Sequence, residues 1–109
     1  MPTTYAIEIG VETATSRGWS YEVALTGPRG NCTQHEVSLS WHDHDYWCGG
    51  ALAPSRLLER LLGLLTRHMG KGGTPASLPA RFDCATARRW LPQIDDLLRE
   101  GPMGGTAPA

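Results

Sequence analysis

Residues 40–50 read SWHDHDYWCGG, placing two histidines, two aspartates and a cysteine in seven consecutive positions ahead of a glycine pair. Imidazole, thiolate and carboxylate are the ligand types that close zinc sites, and a cysteine beside a histidine is a nucleophile pair. His42, His44 and Cys48, completed by Asp43 or Asp45, therefore form the metal- or small-ligand-binding alternative in this sequence, with zinc as cofactor and hydrolysis as reaction. Cys32 and His35 extend the set to C-x2-H-x6-H-x-H-x3-C, which matches no finger or ribbon spacing. On one continuous strand Cys32 and His42 stand about 30 Å apart at ~3.3 Å per residue, out of reach of a single ion.

A reading without chemistry accounts for the same residues. Asp43 and Asp45 bond nearby backbone amides and make a turn, and Tyr46 and Trp47 cover the edge between sheet and helix with their polar atoms at the surface. Gly49 and Gly50 then bend the chain. The run is similar to the H-x-H-x-D-H motif of metallo-β-lactamase-type hydrolases but lacks its final histidine, and 109 residues are too few for that fold. No phosphate loop, GxGxxG or G-x-S-x-G occurs, so no catalytic or cofactor-binding residue is assigned.

The elements that position this segment follow from periodicity. Residues 4–12 alternate, with Tyr5, Ile7, Ile9 and Val11 inward and Ala6, Glu8, Gly10 and Glu12 outward. Residues 18–26 repeat the pattern with Trp19, Tyr21, Val23 and Leu25, and GPRGN supplies the next turn. Residues 34–42 give a third strand with Val37, Leu39 and Trp41 inward. Short links favour antiparallel neighbours, hence a three-stranded meander. The stretch APSRLLERLLGLLTRHM puts Leu57, Leu58, Leu61, Leu62, Leu65 and Met69 on one helical face, with Pro54 in the first turn and Gly70 as C-cap. Asp83 caps a shorter helix through about Trp90, and Pro92 breaks it at Leu91 before a last turn bearing Ile94, Leu97 and Leu98.

The expected fold is thus α+β, a β-β-β-α-α two-layer sandwich. A three-stranded antiparallel meander is covered on one face by a long amphipathic helix and a shorter C-terminal helix. Residues 1–100 form one domain, and 101–109 read as a disordered Gly/Pro-rich tail.

Composition narrows the partners. The net charge of −1 divides into −4 over residues 1–50 and +3 over 51–109. The order is similar to part of a double-stranded-RNA-binding domain, but the first helix and a lysine-rich helix start are missing, and Glu8, Glu12, Glu22 and Glu36 on the outer face repel phosphate. Nucleic acid is not the expected partner. MPTTYAIEIGVE lacks a basic start and a long apolar run, and no stretch approaches the roughly 18 apolar residues of a membrane span, so the expected location is the cytoplasm without membrane contact. Three cysteines without a C-x-x-C are expected to be free thiols. Nine arginines against the single Lys71 point to a GC-rich bacterial genome.

An uncovered sheet face and exposed edges point to protein contact. The expected function is a small non-catalytic interaction domain, an adaptor or a self-associating homodimer, of unknown pathway. Its contact residues are Glu8, Glu22, Ser38 and Ser40 on the outer face and Arg88 and Arg89 on the basic C-terminal half.

Overall fold

A computed structural model describes residues 5–71 and 73–99. The expected tail at 101–109 lies outside the described residues.

Strands β1 (Ala6–Ala14), β2 (Gly18–Thr26) and β3 (Cys32–Ser40) pair antiparallel in that order. Helix α1 (Trp41–Cys48) follows β3 directly, and α2 (Pro54–His68) follows α1. A short strand β4 (Arg81–Asp83) then pairs with β3, running parallel to it. A 3-10 turn (Cys84–Thr86), helix α3 (Ala87–Trp90) and helical residues 94–99 complete the described chain. The architecture is α+β, as expected, but among the described residues the sheet has four strands and is mixed. Three residues are too few to show alternation, which is why β4 escapes a periodicity reading. Phe82 of β4 is buried edge-on to Trp90, with ring centroids 5.2 Å apart, and Glu36 N donates to Ala80 O at 2.8 Å just ahead of the strand.

One face of the sheet is covered. Tyr21, Val23, Leu25, Val37 and Leu39 meet Leu57, Leu58, Leu61, Leu62 and Leu65 of α2, with Trp47, Ile94 and Leu98 in the same cluster. Burying each leucine of that stripe contributes about 1.5–3 kcal/mol before chain entropy is set against it. Trp19 packs at the rim of this interior. Gly18 permits the closest approach within the sheet: a Cβ there would lie 2.1 Å from Leu39 O.

Three expected positions differ. The register of β1 against β2 shifts between Ile9 and Glu12, so that Gly10 and Val11 both stand opposite Glu22. This bulge turns Val11 outward to 60% exposure and brings Glu12 to the covered side, where its carboxylate accepts the Tyr21 hydroxyl at 2.6 Å. Trp41 is 55% exposed, because β3 ends at Ser40 and the chain turns into α1. Gly70 is not the C-cap of α2. The helix stops one residue earlier, and Gly70, at φ +78°, holds the third position of a His68–Lys71 turn closed by Lys71 N donating to His68 O at 2.9 Å. That position of a type II turn needs a positive φ, which glycine adopts without strain.

No helix among the described residues is long and apolar enough to cross a membrane.

Candidate functional site

The segment Trp41–Cys48 is a helix, and its ends are chemically specified. The Ser40 hydroxyl accepts from Asp43 N at 3.0 Å, satisfying an orphan amide of the first turn, and Gly49 at φ +59° ends the helix with its N–H on Asp45 O. The strand-then-corner expectation is corrected here. On a strand His42 and His44 would share a side, whereas on a helix two residues apart lie about 200° apart.

That rotation scatters the zinc alternative. His44 Nε2 donates to Leu52 O at 2.7 Å, and its ring stands edge-on to Trp19 at 5.3 Å. The Cys48 thiol donates to His44's own carbonyl at 3.3 Å. Asp45 is exposed, and Asp43 is 5% exposed and faces Arg88. His42 is exposed and looks toward the other side of the sheet, where it lines a groove. Among the described residues, no three His, Cys, Asp or Glu side chains converge on a point where an ion would be held.

The carboxylates of this region serve a network. Arg88 Nη2 contacts Asp43 Oδ1 at 3.1 Å, and Arg88 Nε donates to Asp95 Oδ1 at 2.9 Å. Trp47 Nε1 donates to the same Asp95 oxygen. The Arg88 guanidinium also lies 4.7 Å from the Trp47 ring centre. Burial alone would lower the Arg88 pKa. Hydrogen bonds to Asp95 and Asp43, and the charge of both, outweigh it and raise the value, so the cation persists. This network ties α1 to the C-terminal segment. Trp47, expected to show its polar atom at the surface, is 1% exposed with that atom on Asp95.

The uncovered face of the sheet carries the remaining polar groups. Glu22 and Glu36 are register partners on β2 and β3, and Glu8 stands opposite Ala24 on the same face. Like charges directly opposite destabilise a sheet, by an amount comparable to the roughly 0.2–1 kcal/mol of a favourable pair. Arg81 of β4 contacts Glu36 at 3.3 Å, and the Ser20 hydroxyl donates to the other Glu36 oxygen at 3.3 Å. The Ser38 hydroxyl donates to Asp83, whose second oxygen accepts from Ala85 N at 2.8 Å. At the α1 end this face deepens into a groove of about 620 Å³, walled by the β1–β2 turn at Thr15 to Arg17 and by His42, Asp83 and Arg88.

The expected contact residues are therefore divided. Glu8, Glu22 and Arg89 are exposed, the first two on the uncovered face and the last on α3. Ser38 is half-buried against Asp83, Ser40 is committed to capping α1, and Arg88 to Asp43 and Asp95. Arg81 and Arg17 also belong to this surface, although neither is among the expected contact residues. Arg81 follows from β4, and no pattern in the sequence marks Arg17. The cap of α1 did leave a signal, a serine three residues before an acidic residue.

Compared with known proteins, the chain matches no family model, no curated protein and no solved structure.

Proposed function

We propose that this chain is a small non-catalytic binding module, working in the bacterial cytoplasm, whose contact surface is the face of its sheet that no helix among the described residues covers. The observation that supports this most is the direct opposition of Glu22 and Glu36 on an uncovered face that also bears Glu8. Arg81 already meets Glu36, but Glu22 and Glu8 have no cationic partner among the described residues, and a partner presenting lysine or arginine there turns the remaining repulsion into attraction. The partner is a protein with a basic surface. A second copy meets this need only through its arginine-bearing half, at Arg89, because apposing two such faces sets carboxylate against carboxylate.

The test is affinity capture from the native cell with the wild type and with Glu22→Lys/Glu36→Lys, both positions being exposed. The expected result is a protein retained by the wild type and lost from the variant at unchanged circular dichroism. Identical captures from both proteins contradict the reading.

The groove supports a second reading, small-ligand binding. At about 620 Å³ it falls in the size range of ligand pockets, and it gathers Arg17, His42, Asp83 and Arg88. A metabolite screen by thermal shift, repeated with His42→Ala, tests it: a stabilising compound whose effect vanishes in the variant supports it, and an empty screen removes it.

A further inference from the structure

We infer that the outer edge of β1, beside the first turns of α2, accepts an extended basic segment of another protein as an added strand. The inference rests on the binding-module reading above and adds the sheet's edge to its contact surface.

β1 ends the sheet and pairs only with β2, so alternate N–H and C=O groups of β1 point away from the sheet without a strand partner among the described residues. Natural sheets guard long edges with charged side chains, lysine above all, with proline, with bulges or by brevity. β1 runs for nine residues, AIEIGVETA, with no proline and no cation. Its single irregularity, the bulge at Gly10 and Val11, leaves Ala6 to Ile9 as a regular template. The opposite edge is unsuitable, because β4 is three residues long.

The ground beside this edge is shaped for an occupant. A groove of about 490 Å³ lies between β1 and α2, with half-buried Ile7 and Ile9 on one side and Ser55, Arg56 and Glu59 on the other. An added strand directs alternate side chains toward that groove, where the isoleucines favour apolar groups, and the others toward Glu8.

Charge selects the occupant. Glu12 and Glu59 line the groove and Glu8 borders it from the uncovered face, against one cation, Arg56, which contacts Glu59 at 3.9 Å. A segment alternating apolar residues with lysine or arginine complements both the charge and the pleat. A second copy of β1 does not. It carries Glu8 and Glu12 and no positive group, so antiparallel self-pairing sets glutamate against glutamate.

The probe is a random display library of short peptides selected on the intact protein, followed by synthesis of the enriched sequences. The expected peptides alternate apolar and basic residues and contain no central proline. On binding they slow hydrogen exchange at alternate amides of Ala6 to Ile9 and shift the resonances of Ser55 to Glu59. Glu8→Lys with Glu59→Lys, both exposed positions, is expected to weaken binding about tenfold per charge. A proline placed in the peptide's centre removes a ladder donor and abolishes binding. Enrichment of acidic sequences, dimerisation through β1, indifference to the two lysine substitutions, or no enrichment overturns the inference. Peptides that perturb Glu22 and Glu36 and not β1 overturn strand addition alone and leave the binding-module reading standing, since that reading is tested separately by the Glu22→Lys/Glu36→Lys capture.

Discussion

Replacing Arg88 with alanine strands the buried Asp43 carboxylate and leaves Asp95 with the Trp47 indole N–H as its side-chain partner among the described residues. Asp43 is 5% exposed, its Oδ1 lies 3.1 Å from Arg88 Nη2, and no other side chain bonds its carboxylate among the described residues. Removing one partner of a buried ion pair costs about 3–5 kcal/mol, because the remaining charge keeps its desolvation penalty without its counter-ion. The Arg88 side chain is 32% exposed, so solvent already screens part of the interaction and about 2–4 kcal/mol is expected. Loss of the cation lying over Trp47 adds about 0.5–1 kcal/mol. A total of about 2.5–5 kcal/mol is a large share of the roughly 5–15 kcal/mol that holds a domain together, and it lowers Tm by about 10 °C or more. Urea unfolding followed by tryptophan fluorescence, to which the buried Trp47 contributes, measures it, with an unchanged m-value showing that the unfolding reaction is the same. Adding Asp43→Asn to Arg88→Ala is expected to recover about 1–2 kcal/mol by removing the stranded charge. A loss below about 1 kcal/mol, the range of an exposed pair, would refute the role given to the network.

Other consequences are as specific. Gly18→Ala puts a Cβ 2.1 Å from Leu39 O and 2.8 Å from Ser40 Cα, both backbone atoms, so a loss above about 2 kcal/mol is expected; denaturant titration checks it, and a neutral result contradicts the β2–β3 register. Burial, with the desolvation it brings, pushes the Cys84 thiol up, and the side chain is fully enclosed. A thiol reagent is therefore expected to label exposed Cys32 rapidly and Cys84 only after unfolding, and mass mapping of the labelled peptides reads the order. Burial first, then the hydrogen bond and charge of Glu12, raise the pKa of the Tyr21 phenol well above its ordinary value. The neutral phenol is thus favoured by folding, and its contribution is complete below the unfolded value of about 10 and is lost as pH climbs beyond it. Tyrosinate absorbance is expected to show one phenol ionising only with unfolding. Ionisation of every phenol in the folded protein would contradict the burial of Tyr21.

Much of the architecture was legible in the sequence because period two and period 3.6 are physical consequences of burying one face. Tyr21, Val23 and Leu25 on β2 and the leucines of α2 stand where alternation and helical spacing put them. Helix α1 was not legible by that route, since it buries only Asp43 and Trp47 and has no apolar stripe. Its signature lies at its ends, in the Ser40 cap and the stop at Gly49, which bracket eight residues that resemble a ligand cluster only when read as letters. The bulge in β1 was invisible for a related reason. Val11 continues the alternation by type, and only pairing with β2 reveals that Glu12, not Val11, meets Tyr21. The network of Arg88, Asp43 and Asp95 joins residues 45 apart, beyond any local pattern.

The central claim is that the helix-free side of the sheet is where this chain meets its partner. Site-specific photo-crosslinking in the native cell tests it most directly, with the reactive group placed at Glu22 on the uncovered face or at exposed Arg67 on α2. The account predicts a discrete protein adduct from position 22 and none from position 67. An adduct from position 67 with none from position 22 would place the partner on the helical side and contradict it.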